Sequence, residues 1–138
     1  MKNTIITMVM ALLTMQGAFA ADFTVIVNAQ NGVSQISKDD LKSIYLGKKS
    51  SWPNGGKIEA VMLHEGKAHE AFSNDIVAKS PAQLATFWKS ALFTGTGTPP
   101  KTVSSDAEVV QAVSSTPGAV GYISAGAATG SAKAVKVE

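Results

Sequence analysis

Two residue types are missing from this 138-residue chain: it has no cysteine and no arginine. Without cysteine there are no disulfides, no thiolate metal sites, no catalytic thiol and no N-terminal cysteine to carry a lipid. Without arginine there is no planar guanidinium fork, the group best matched to a phosphate or carboxylate. Any anion site in this chain must therefore use something else. Charge is sparse and nearly balanced, with 12 lysines against 10 acidic residues. That balance gives no electrostatic footprint for nucleic acid.

The first twenty residues read as a leader. Lys2 supplies a positive start, Ile5 to Met15 is apolar apart from threonines, and Ala18-Phe19-Ala20 places small residues where a signal peptidase reads. Cleavage is expected after Ala20, giving a signal peptide at 1–20 and one domain at 21–138. The apolar stretch is shorter than the roughly 20 residues that span a bilayer, and no other segment is long enough, so no membrane insertion is expected. Loss of Lys2 brings the formal net charge from +2 to +1.

Beyond the leader, strand and helix signals alternate. Phe23 to Asn28 is β-branched and apolar, which predicts a buried strand. Ser37 is placed to cap a helix from Lys38 to about Leu46, with Leu41, Ile44 and Tyr45 inward and Gly47 at its end. A turn-rich loop containing Trp52-Pro53-Asn54-Gly55 leads to a strand over about Lys57 to Leu63. Helices are expected over Lys67 to Ala78 and from Pro81 to about Phe93. The second of these carries a Ser80/Gln83 capping box and a core stripe of Leu84, Phe87, Trp88, Ala91 and Leu92. Another box, Ser105 with Glu108, opens a helix to about Ser115 that buries Val109, Ala112 and Val113. Strands follow at Val120 to Ser124 and Ala134 to Val137. The alternation predicts an α/β fold, a single layered domain.

One junction draws attention for chemistry: Leu63-His64-Glu65-Gly66-Lys67-Ala68-His69, where a strand gives way to a helix. Free N–H groups and a partial positive charge at such a point favour an anion, and Gly66 permits close approach. The candidate ligand-binding residues are His64, Gly66, Lys67, Ala68 and His69. Metal binding is not expected, because a zincin helix needs histidines four apart and these are five apart across a junction. No metal or other cofactor is expected. Gly55-Gly56-Lys57 lacks Walker-loop spacing, and Gly95-x-Gly97 reads as a turn. Trp52, Trp88 and Tyr122 read as packing residues. No nucleophile elbow accompanies any Ser, His and acid set, which argues against an enzyme.

Two ordered phrases carry a family likeness: LKSIYLGKKSSWPNGGKI, from Leu41 to Ile58, and PGAVGYI, from Pro117 to Ile123. Together they resemble the phosphate-binding proteins of ABC importers, within the superfamily of periplasmic solute-binding proteins. The likeness runs from Val25 to Tyr122 and covers the motifs of the second lobe, so it implies the architecture of one lobe of such a protein. At the junction, His64 lies near the family's arginine, Gly66-Lys67-Ala68 replaces its hydroxyl-bearing phrase, and His69 resembles a further basic position of short members. The resemblance implies a periplasmic, non-enzymatic solute-binding-like protein that recognises phosphate or another small anion for ABC import. An ABC permease or an envelope protein is then the expected partner. Without a cysteine tether, it further implies a freely soluble protein in a Gram-negative periplasm. The alternative is a single-lobe protein-interaction module of the cell envelope without small-molecule binding, which pairs with another protein or with itself; a homodimer would also supply the absent half of a cleft.

Overall fold

A computed structural model describes residues 22–138, so the leader expected at 1–20 lies outside the described residues. The centre of the molecule is a five-stranded mixed sheet, and a two-stranded sheet lies apart from it. β1 (Phe23–Val27) forms where the sequence is β-branched, and Ile26 and Val27 are fully buried. β2 is the short strand Gln35–Ile36. α1 (Lys38–Tyr45) starts as expected: the Ser37 hydroxyl accepts the N–H of Asp40 at 3.1 Å, and Leu41, Ile44 and Tyr45 are buried.

β3 (Glu59–Leu63) follows the tryptophan loop and leads into α2 (Lys67–Phe72). Here the structure departs from the expected continuous helix. A wider π turn, Ser73–Val77, continues α2 and closes at Ala78 with φ of +60°. α3 (Pro81–Thr94) has both arms of its capping box, Ser80 Oγ to Gln83 N–H and Gln83 Oε1 to Ser80 N–H. Leu84, Trp88 and Ala91 are buried on it, but Leu92 is 60% exposed. The expected core stripe is therefore one residue too long: α3 packs on the π turn and, through Trp88, on the end of α1, and Leu92 lies outside that contact.

β4 (Lys101–Val103) precedes α4 (Asp106–Ser115), and β5 (Ala119–Ser124) completes the centre of the sheet. The strand expected over Ala134 to Val137 is two short pieces. β6 (Lys133–Ala134) pairs with β1, whereas β7 (Lys136–Val137) pairs with β2. The spatial order is β4-β3-β5-β1-β6; β3 is parallel to β4 and β5, and β1 runs antiparallel to β5 and β6.

Adjacent residues of β5 show how the layers form, since neighbouring side chains on a strand face opposite ways. The Tyr122 ring stacks on Phe72 of α2, with centroids 3.9 Å apart and planes 7° from parallel. Gly121, its neighbour, lies under α4: a Cβ there would sit 2.6 Å from Val109 Cγ1 and 3.1 Å from Val113 Cγ2. Only glycine lets α4 approach this closely. The sheet is thus covered by α2 on one face and α4 on the other, the layered α/β arrangement expected from the sequence.

Candidate functional site

Three strands end together. β3, β4 and β5 are mutually parallel in the order β4-β3-β5, so Leu63, Val103 and Ser124 share one edge of the sheet. The carboxyl ends of parallel strands are where open α/β sheets place ligands. The chain leaves β3 through His64, whose N–H donates to the Val103 carbonyl at 2.8 Å, and enters α2 at Gly66. It leaves β4 through Ser104 and Ser105 and enters α4 at Asp106. Between these exits lies a concavity of about 270 Å³, lined by Leu63, the segment Glu65–Ala68, the segment Ser104–Asp106 and Ser124.

Its two helix starts differ. Ser105 Oγ accepts the N–H of Glu108, Glu108 Oε2 accepts the N–H of Ser104, and Asp106 Oδ1 accepts the N–H of Ser124. Polar groups at the start of α4 are thereby committed to one another. At α2 the N-cap is Gly66, with φ of +103° and no side chain to cap the first turn. A β-carbon at that φ would be strained, and its absence leaves the first-turn donors without a local acceptor. Lys67 is exposed at the rim and Glu65 is exposed beside it. The only lysine in the lining is Lys67, against two carboxylates, Glu65 and Asp106. Backbone dipoles and hydroxyls, not net side-chain charge, must therefore provide most of the attraction for an anion.

The residues singled out from the sequence separate into three groups. Gly66, Lys67 and Ala68 line the concavity together. His64 is exposed on the loop and is not part of its lining. His69 goes the other way: it is 5% exposed, and its Nδ1 lies 2.6 Å from the Tyr122 hydroxyl. The expectation that His69 joins the exposed ligand-binding set is corrected in this respect, because the helix turns its third residue toward the sheet. Burial first, then the neighbouring His64, lowers its pKa, while Glu70 opposes the change. Among the described residues no group of three or more His, Asp or Glu is placed to hold a metal.

Sequence reading missed the wall made by Ser104, Ser105, Asp106 and Ser124. The Ser105/Glu108 box marked that helix start, but nothing in the sequence said that β4 would lie beside β3. A larger hollow, about 430 Å³, lies elsewhere, between β4 and the flank of α4 and bordered by Lys101, Glu108 and Gln111. It lacks the converging strand ends, and Glu108 there is already engaged by Ser104.

The tryptophans and tyrosines are structural. Trp52 Nε1 donates to the Gly118 carbonyl at 2.9 Å, Trp88 Nε1 donates to the Tyr45 carbonyl at 3.2 Å, and the Tyr45 hydroxyl donates to the Val61 carbonyl at 2.8 Å. The first of these bonds joins the two phrases that carry the family likeness. Residues 17–137 match the model of the PBP superfamily domain. The chain belongs to this family.

Among relatives of the family, the phosphate-binding protein PstS of Bacillus subtilis (strain 168) is 35% identical over 98 residues, which are 70% of this chain and 29% of that protein. Solved structures share the fold. PstS from Borrelia burgdorferi superposes with a TM-score of 0.65 at 20% identity, over 85% of this chain and 47% of the other. A putative phosphate ABC transporter substrate-binding protein with bound phosphate from Clostridium perfringens gives 0.64 at 23% identity, over 84% and 44%. The chain spans less than a third of the curated relative and less than half of these structures.

Proposed function

We propose that residues 21–138 form an exported, periplasmic solute-binding domain that recognises phosphate or a similar small oxyanion for ABC import, without catalysing a reaction. One observation carries the reading: the uncapped start of α2 opens on a concavity at the carboxyl ends of three parallel strands. Membership of the PBP superfamily domain, with relatives named as phosphate-binding proteins, supports the choice of ligand. In this reading Gly66, Lys67 and Ala68 contact the anion and the serines of the opposite wall complete its hydrogen bonding, while His64 stands on the loop outside the lining. His69 supports the helix from beneath.

Calorimetry with phosphate, sulfate and small carboxylates tests this function. Heat with at least one oxyanion, weakened in Lys67→Ala, is the expected result. No heat at millimolar concentration with any of them would overturn it.

An ABC permease is the proposed partner. A homodimer has one supporting observation, the exposure of Leu92 at 60% and Phe93 at 92% on the last turns of α3. Sedimentation over a range of concentrations decides it, and a monomer throughout would remove it.

A further inference from the structure

We propose that Tyr122 is a positioning residue for the anion site, its buried hydroxyl fixing both ends of the segment that carries the binding amides. This inference rests on the functional reading above and concerns a residue that does not itself line the concavity.

Tyr122 lies in the middle of β5 with no exposed surface. Its hydroxyl oxygen accepts the N–H of Leu63, the last residue of β3, at 3.2 Å. The same hydroxyl is 2.6 Å from Nδ1 of His69, in the first turn of α2. Between those two anchors run His64, Glu65, Gly66, Lys67 and Ala68, all but Ala68 exposed. A single buried oxygen therefore spans the whole junction, while Gly66 at its centre has the backbone freedom that makes some external constraint necessary.

The hydrogen bonding also fixes which groups donate. The Leu63 N–H can only donate, so the tyrosine O–H is free to donate to an unprotonated Nδ1, leaving the imidazole proton on Nε2. Burial raises the phenol pKa and lowers that of His69, which favours the neutral pair. The ring itself is held independently of its hydroxyl by the stack on Phe72 and by a T-shaped contact with Tyr45, centroids 5.7 Å apart. Removing the oxygen alone thus releases the junction without removing the core side chain.

Tyr122→Phe is the test, with amide hydrogen exchange and phosphate calorimetry as readouts on the same protein. The variant is expected to speed exchange at the hydrogen-bonded amides that flank the loop, those of Leu63, His64 and Glu70, and to weaken phosphate binding, each by about tenfold, the effect of one lost buried hydrogen bond. Amides of β1 and α3 should exchange as before. Unchanged exchange at Leu63, His64 and Glu70, or a uniform rise across the chain, would overturn the proposal, since a merely structural tyrosine loosens the whole core. His69→Asn keeps a polar atom near the Nδ1 position and should retain slow exchange, whereas His69→Ala should not; equal behaviour of the two would also count against it. If the native chain gives no heat with phosphate, the functional reading fails, and the exchange comparison still decides whether Tyr122 holds the junction.

Discussion

Gly121 lies directly beneath Val109, with room for a hydrogen but not for a methyl group, because a Cβ would come within 2.6 Å of Val109 Cγ1. Gly121→Ala must push α4 away from the sheet or force Val109 and Val113 off their rotamers. A loss of about 1–3 kcal/mol is expected, read as a lower midpoint in urea with an unchanged slope. An unaltered midpoint would show that α4 yields more easily than this packing implies.

Trp52 and Gly118 join the loop after α1 to the turn before β5 through one indole N–H. Trp52→Phe keeps much of the apolar surface and loses the donor. It is expected to cost about 1–3 kcal/mol, and thermal unfolding measures it. Because that bond is remote from Gly66, oxyanion affinity should stay unchanged in the folded variant.

Burial disfavours the protonated form of His69, so the folded protein takes up that proton less readily than the unfolded chain. Below the unfolded value of about 6.5, the unfolded state binds a proton that the native state resists. Stability contributed by neutral His69 is therefore complete above that pH and declines as pH falls through it toward the lower folded value. The melting temperature should drop between pH 7 and pH 5, and the drop should be smaller in His69→Asn. Equal slopes for the two proteins would remove His69 as the cause.

Phe93 offers a contrasting case, since it is 92% exposed at the end of α3. Phe93→Ser is expected to alter unfolding free energy by less than about 0.5 kcal/mol, as denaturant melts at low protein concentration can show. A larger loss would mean that the side chain is covered in solution.

Local signals proved dependable where the chemistry is local. Ser37, Ser80 and Ser105 each cap the helix they precede, and the alternation of strand and helix gives the observed layers. Legibility ended where long-range pairing decides. β4 has only three residues, and its place beside β3 depends on parallel pairing of Val61–Leu63 with Lys101–Val103, not on its own composition. Ala134 to Val137 reads as one strand, yet its pieces are claimed by two different partners, β1 and β2, which belong to different sheets. The same limit applies to the site. Gly66 to Ala68 was visible because a glycine stands at a strand-to-helix junction, whereas the serine wall enters only through tertiary placement. His69 looked available beside its charged neighbours, but helical geometry gives it to Tyr122.

The position of β1 governs how the chain can be assembled. Phe23 pairs with Ser124 and Val27 with Val120, so this strand is made well before its partner exists, with β2 to β4 and α1 to α4 synthesised between them. Closing so long a loop is slow, and contacts of such separation lengthen the search for the native state. A nascent molecule would therefore stay open until β5 has been made, a state in which chaperones can still act on it.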